Sequence, residues 1–164
     1  MKITETMQQA LNTQLNFEIH SAHVYLALAA TLDAAGLQGA AGWMKIQAKE
    51  ELEHGMKFYK YLYDRQGEVV IAALPDPKVD AEGLQGAFAA ALAHEQEVTR
   101  RIHALVDLAA AEKDHATASF LKWFVDEQVE EEANVEEILG HLNLLGASKS
   151  AYFMLDRQLG KRAE

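Results

Sequence analysis

The chain has 164 residues, 49% of them hydrophobic and 24% charged, which are the values of a globular protein. A chain of this length forms one domain that buries about two thirds of the surface of its unfolded form. Cysteine is absent, which excludes disulfides, iron–sulfur clusters, cysteine zinc sites and cysteine nucleophiles. The net charge of −10 disfavours nucleic acid as a partner and favours cations.

The first twelve residues, MKITETMQQALN, lack the apolar core of a signal peptide. No stretch approaches the roughly 18 uninterrupted apolar residues of a membrane span. We therefore expect a soluble, cytoplasmic protein with no membrane partner.

Residues that favour helices, mainly Ala, Leu, Glu, Gln and Lys, dominate the chain. Glycines interrupt the helical pattern near 36–39 and again at Gly140 and Gly146, while both prolines lie in the non-periodic stretch 67–83. Asp114 is a candidate N-cap after a short break. The pattern predicts helices at about 5–35, 39–66, 83–112, 115–140 and 147–160.

Two short connections and one long one join the four long helices. The long connection, if extended, reaches on the order of 50 Å, so it can run back along a helix and leave the second and third helices parallel. The predicted fold class is all-α: a single domain over 1–164, with an up-down-down-up four-helix bundle at about 5–140 and a short C-terminal fifth helix.

An apolar seam with alternating spacings of four and three residues can be traced along each long helix. The seam of the second helix is predicted to include Tyr61, and Trp123 is assigned to the core. Near the middle of every helix the seam is interrupted by polar residues. These are Glu18, then Glu51 and His54, then Glu95, and finally Gln128 and Glu131. The seams also include Gln14 and Gln47. Because helices of similar length bring their midpoints to one level, we expect the interruptions to converge in one buried layer.

Four carboxylates and an imidazole in an apolar core are destabilising unless they are compensated. Protonation, basic partners or metal ions could do this, and the seams carry no Lys or Arg. Metal is the simplest compensation, because two cations would offset four carboxylates. Oxygen and imidazole ligands suit iron or manganese, and di-iron carboxylate bundles combine single Glu ligands with a Glu-x-x-His motif, as at Glu51 and His54.

Other chemistry-bearing residues have plainer interpretations. The acidic run at 130–132 fits a solvated face with only Glu131 turned inward. Six further histidines lack an acid at ligand spacing and are assigned to the surface or to packing: His20, His23, His94, His103, His115 and His141.

Several segments together resemble the ferritins, of the non-haem bacterial or archaeal type. The resemblance covers nearly the whole chain and rests on 16–18 with Tyr25, and on 50–54, 94–96, 120–132 and 151–156. It implies iron storage, with Fe(II) oxidised to Fe(III) by oxygen or peroxide at a di-iron ferroxidase centre inside each subunit. The subunits would form a hollow homo-oligomeric shell of twenty-four that stores ferric oxide.

The resemblance also assigns site residues. Glu18, Glu51 and His54 would hold the first iron. Glu51 would bridge to the second iron, which Glu95 and Glu131 complete, with Gln128 close by. Tyr25 would lie beside the pair as a hydrogen-bonding or redox-active neighbour.

Two departures separate this chain from haem-containing relatives. Bacterioferritin has a second Glu-x-x-His on its fourth helix, where this chain has Gln128-x-x-Glu131 or Glu127-x-x-Glu130, without histidine. It also has a haem-ligating methionine after the bridging glutamate, where this chain has Leu52. We therefore expect no haem. The alternative to a ferroxidase shell is a metal-stabilised helical-bundle assembly protein without turnover.

Glu50, Glu127 and Glu130 each precede a ligand or near-ligand residue by one position. A one-residue step rotates a helical side chain by about 100°, so the three should point to one side of the seam. Their spacing fits a solvated acidic patch equally well, and the resemblance favours a third, weaker iron site.

Overall fold

The structure is a computed structural model that describes residues 2–146 and 149–162, and these residues form five helices. Their bounds are α1 Glu5–Ala34, α2 Gln38–Asp64, α3 Gly83–Ala111, α4 His115–Leu145 and α5 Lys149–Leu159. The all-α class and the bundle with a short fifth helix are confirmed. The predicted start of the fifth helix falls at 147–148, outside the described residues.

The fourth helix is longer than predicted, because it continues through Gly140 to Leu145. A glycine inside a helix costs only about 1 kcal/mol relative to alanine, and Leu142, one turn from the end, is fully buried. Burial of this seam residue outweighs the weak helix propensity of Gly140. Gly146, with φ of 55°, ends the helix.

The first and fourth helices begin with side-chain caps, and Asp114 is the N-cap that the sequence predicted. Thr4 accepts a hydrogen bond from Met7 N at 3.2 Å, and Asp114 accepts one from Thr117 N at 3.1 Å. Asp114 also pairs with Arg65 at 3.0 Å. This ion pair connects the end of α2 to the start of α4 and fixes one end of the bundle.

The apolar core has two parts, with the polar layer between them. One cluster contains Leu28, Met44 and Phe88 and includes residues of α5, and the other contains Leu11, Phe58 and Ile102. Every long helix contributes to both. None of the helices in the described ranges is long and apolar enough to cross a membrane.

Two aromatic assignments were wrong. Tyr61 is only half-buried, and Leu62 takes the fully buried position in α2. Trp123 is 38% exposed rather than in the core; its ring lies under Lys57 Nζ, 4.2 Å from the centroid, and packs edge-on against His54. Both rings lie at the edge of a seam, where large side chains cover the core instead of entering it.

A ladder of amide side chains holds the long connection against α1. Asn12 Oδ1 accepts from Val70 N at 2.7 Å, and Asn16 Oδ1 accepts from Ala72 N at 2.8 Å. Four helical residues advance about 6 Å and two extended residues about 6.6 Å. The two repeats therefore match, and the connection runs along the bundle as its length suggested.

The fifth helix packs mainly on α2. Asp156 Oδ1 accepts from Ala40 N at 2.8 Å, so α5 supplies the cap that the N-cap residue Leu37 does not. Gly39 makes this approach possible, since a Cβ there would lie 1.8 Å from the Asp156 carbonyl oxygen.

Candidate metal centre

The polar interruptions of the four seams converge midway along the bundle. Glu18 and Glu95 are completely buried and Glu51 nearly so, while His54, Gln128 and Glu131 are each 4% exposed. Each side chain lies on the core-facing stripe of its helix, flanked by apolar seam residues. The layer expected from the sequence is therefore present in the fold.

Two groups of side chains within this layer have metal-binding geometry. Glu18, Glu51 and His54 each offer a ligand atom, and the three atoms lie within 4.8 Å of one another. His54, Glu127 and Glu131 form a second such group. His54 belongs to both, so the two groups adjoin at this one residue.

Amide and phenol donors hold the carboxylates in place. Gln14 Nε2 donates to Glu18 Oε1 at 2.8 Å. Gln47 Nε2 donates to Glu131 Oε2 at 2.7 Å and to Glu51 Oε1 at 3.4 Å. The predicted seams include Gln14 and Gln47, but neither was predicted to belong to the layer. Their N–H groups can donate to carboxylates in the absence of metal.

Glu95 has donors on both of its oxygens. Tyr25 Oη donates to Oε1, and Gln128 Nε2 donates to Oε2 at 3.1 Å. Tyr25 is fully buried, and its ring is edge-on to His94. Tyr25 and Gln128, both expected near the site, therefore contact the same carboxylate.

Two carboxylate oxygens in the layer have no hydrogen-bond partner, namely Oε2 of Glu18 and Oε2 of Glu51. His54 Nδ1 lies 3.5 Å from Glu51 Oε2. A buried oxygen without a partner is costly. Both belong to the first group, so a metal ion placed between its ligand atoms would satisfy them. The donor set therefore fits iron.

Burial makes the acids of the layer weak. Desolvation raises the pKa of Glu18 well above its usual value, and the charge of Glu51 adds to this. Desolvation also raises the pKa of Glu51 well above normal, with Glu95 and Glu131 contributing. Glu131 has a pKa of about 7 for the same reasons, desolvation first and the charge of Glu95 second. In the absence of metal, part of the layer is therefore protonated at neutral pH.

The three residues predicted for a third site are in different situations. Glu127 joins His54 and Glu131 in the second group. Glu50 forms an ion pair with Arg162, a residue beyond α5 that seam analysis could not place. Glu130 is exposed.

The other histidines lie outside both groups. His94 Nε2 lies 2.8 Å from Ser21 Oγ, and its ring stacks on Phe17. Desolvation lowers the pKa of His94 to about 4, and the charge of His20 contributes. His94 is thus a neutral packing residue at neutral pH, and His23 is exposed.

The chain matches known proteins over most of its length. The model of the ferritin-like domain matches residues 8–145. The chain belongs to the ferritin family. A bacterial non-heme ferritin of Staphylococcus aureus is 41% identical over 160 residues, which cover 98% of this chain and 96% of the relative.

Solved structures show the same relationship. The open pore ferritin of the hyperthermophilic archaeon Archaeoglobus fulgidus has a TM-score of 0.96 at 44% identity, covering 99% of this chain and 100% of that chain. An engineered closed form of that ferritin has a TM-score of 0.97 at 43% identity, covering 99% of both chains. The function is that of a non-haem ferritin, which stores iron and acts as a ferroxidase. The buried Glu/His cluster is its candidate metal site.

Proposed function

We propose that the buried layer is a di-iron ferroxidase centre. Glu18, Glu51 and His54 hold the first iron. Glu51 bridges to the second iron, which Glu95 and Glu131 complete, with Gln128 beside it. The observation that carries this assignment is the pair of unpartnered oxygens on Glu18 and Glu51, which lie in the group whose ligand atoms converge within 4.8 Å.

The ligand set suits oxidation of Fe(II). Four carboxylates balance the charge of two Fe(II) ions and stabilise Fe(III) still more, because hard oxygen donors favour the higher charge. Two adjacent Fe(II) ions can transfer two electrons to one dioxygen molecule. With two protons, the dioxygen leaves as hydrogen peroxide, and both ions become Fe(III). Peroxide can likewise take up two electrons from two Fe(II) ions, together with two protons, and leave as two water molecules.

Proton release accompanies metal binding at this centre. Because burial raises the pKa values of Glu18, Glu51 and Glu131, these acids hold protons in the metal-free state near neutral pH. A ligating carboxylate must give up its proton. Iron uptake therefore becomes weaker as the pH falls, and each ion that binds expels protons to solvent.

The test is the initial rate of Fe(II) oxidation, followed by absorbance in air. We expect Glu18→Ala to abolish fast oxidation while helix content is unchanged. Glu53→Ala is the matched control, since it removes an exposed carboxylate two residues from Glu51. If Glu18→Ala oxidises iron at the original initial rate, the ligand assignment is wrong.

A third, weaker iron position lies on the Glu127 side of the pair, with Glu50 and Glu130 as the further ligands. Glu127 supports this, because it already converges with His54 and Glu131. The charge of Glu50 raises the pKa of Glu131, after the larger effects of desolvation, Glu95 and His54, which indicates that Glu50 is close. With fewer buried ligands, this position fills last and passes iron towards the storage cavity.

The third position is tested by changing residues 50, 127 and 130 to Gln together. We expect the variant to bind one ion fewer per subunit and to slow over successive iron additions. Unchanged turnover together with unchanged iron stoichiometry would rule out a third position here.

A closed homo-oligomer of twenty-four subunits is the proposed assembly. Its support is the set of large apolar side chains left exposed on the subunit, including Phe153 at 63% and Met154 at 71%. Large contiguous apolar patches mark interaction surfaces. Light scattering at micromolar concentration and moderate salt should show a large particle, and an 18 kDa species alone would refute the assembly. The cytoplasmic location stays a prediction.

A further inference from the structure

A turn after α5 brings Arg162 to the rim of the metal centre. Its backbone N donates to Leu159 O at 3.2 Å, so its position follows that of α5. The guanidinium lies over the Trp43 ring, 4.5 Å from the centroid. Nη1 donates to Gln47 Oε1 at 2.9 Å, and Nη2 forms an ion pair with Glu50 Oε2. Arg162 thus has three partners on one face of α2.

Gln47 connects Arg162 to two of the proposed iron ligands. It is completely buried, and its Nε2 donates to Glu131 at 2.7 Å and to Glu51 at 3.4 Å. An amide carries its oxygen on one arm and its N–H groups on the other. Because the guanidinium occupies the oxygen arm, the N–H arm is turned towards the carboxylates. Arg162 therefore orients a donor of the di-iron centre without touching any of that centre's proposed ligands.

Glu50 places the same arginine in competition with metal. The proposed third iron position, at Glu50, Glu127 and Glu130, is called the outer position here, and the di-iron centre is called the inner centre. The outer position needs the Glu50 carboxylate, and in the metal-free state the Arg162 guanidinium holds that carboxylate. A cation bound there would also lie beside a permanent positive charge, since arginine does not deprotonate in proteins. A docked Arg162 and an ion on Glu50 therefore exclude each other.

We propose that Arg162 is an electrostatic gate on the outer metal position and that Gln47 is its link to the inner centre. This inference rests on the proposed third position. When a cation takes Glu50, Arg162 is displaced and its guanidinium leaves Trp43. Coupling between two sites is reciprocal. The docked guanidinium of Arg162 therefore weakens cation binding at the outer position by the same factor by which a bound cation weakens the docking of Arg162. The gate therefore weakens the outer position relative to the inner centre, so that the outer position fills last.

The experiment is a titration of the metal-free, assembled protein with Zn²⁺, which is redox-inert, followed by calorimetry at low ionic strength. Arg162→Gln removes the charge and the fork of donors. The control is Arg157→Gln, which removes an exposed arginine of α5. We expect Arg162→Gln to tighten the weakest ion about tenfold, leaving the two tighter ions within about twofold. Arg157→Gln should match the parent protein.

Fluorescence of Trp43 supplies a second, independent measurement. Trp123, the other tryptophan, is replaced by Phe in the background so that emission comes from Trp43 alone. With Arg162 present, emission should change as the third equivalent of Zn²⁺ binds, because the guanidinium leaves the ring. With Arg162→Gln in the same background, the third equivalent should produce no such change.

The outcomes separate this inference from the proposed function. If Glu50→Gln still binds as many ions as the parent protein, the outer position is not at Glu50, and the third iron position and the gate are both refuted. If Glu50→Gln loses the weakest ion but Arg162→Gln binds it with parental affinity, only the gate is refuted. A Trp43 signal that does not respond to the third equivalent also refutes the gate, even if Arg162→Gln does not assemble.

Discussion

Glu131 carries the clearest conflict between stability and function in this fold. Its carboxylate is buried in an acidic layer, and Gln47 donates to it at 2.7 Å. Glu131→Gln removes the charge but keeps the shape of the side chain and an oxygen that can accept from Gln47. We expect the metal-free variant to be more stable than the parent protein at alkaline pH.

The magnitude follows from the pKa. Burial raises the pKa of Glu131 from 4.5 to about 7, and each unit is worth about 1.4 kcal/mol, so the full effect is about 3 kcal/mol. Below 4.5, the folded and unfolded forms are both protonated and Glu131 costs nothing. Between 4.5 and about 7, the unfolded form loses its proton first. Stability therefore falls as the pH rises through this window, and the whole cost is present above it.

The assay is guanidinium unfolding of the chelator-treated protein at several pH values across and above this window. The parent should lose stability with rising pH, and Glu131→Gln should lose about 3 kcal/mol less. Glu130→Gln is the control, because it removes a neighbouring but exposed carboxylate. Identical pH profiles for the parent and Glu131→Gln, or a variant that is less stable at alkaline pH, would refute the reasoning.

Three further predictions follow from individual residues. His54→Ala should abolish fast Fe(II) oxidation with helix content intact, and retention of the parental initial rate would contradict its role as a ligand. Because the Leu52 side chain has no donor atom that could ligate haem iron, the purified protein should show no haem absorption band. A haem band in proportion to protein would overturn this. Gly39→Ala should undock α5 and expose Leu155 and Leu159, lowering the free energy of unfolding by about 1.5–3 kcal/mol for each. Gly42→Ala, where a Cβ meets nothing within 4 Å, should not destabilise.

Seam periodicity was sufficient to find the layer. Three of the four seams were assigned without error, because a helical period of 3.6 residues determines which positions face the core. The one false seam position was Tyr61, where a shift of one residue brings Leu62 inward. The acidic interruptions were detectable because most other positions of each seam are apolar.

The contacts that periodicity could not predict are those between elements. Asp156 caps α2 and Arg162 reaches Gln47, yet both belong to the chain around α5, whose docking depends on Gly39. The ladder of Asn12 and Asn16 against the long connection was missed for the same reason. An amide that binds a distant backbone has no sequence pattern to distinguish it from an exposed amide.

The distribution of hydrogen bonds in the metal-free layer implies an order in which the two metal ions of the centre bind. Glu18 and Glu51 each use Oε1 for a glutamine donor and leave Oε2 unpartnered, so a first ion displaces nothing at these carboxylates. Both oxygens of Glu95 already accept hydrogen bonds, from Tyr25 and Gln128, so a second ion competes with these donors for the carboxylate.

A hydrogen bond to a charged group is worth about 1.5–3 kcal/mol, and this sets the size of the last prediction. Tyr25→Phe frees Glu95 Oε1, so the second Zn²⁺ should bind at least about tenfold tighter in calorimetry, while the first should bind as in the parent protein. Thr31→Ala, which removes a half-buried hydroxyl elsewhere on α1, is the control. A second ion that binds no tighter would show that Tyr25 does not compete with metal, and the order of filling would then need another cause.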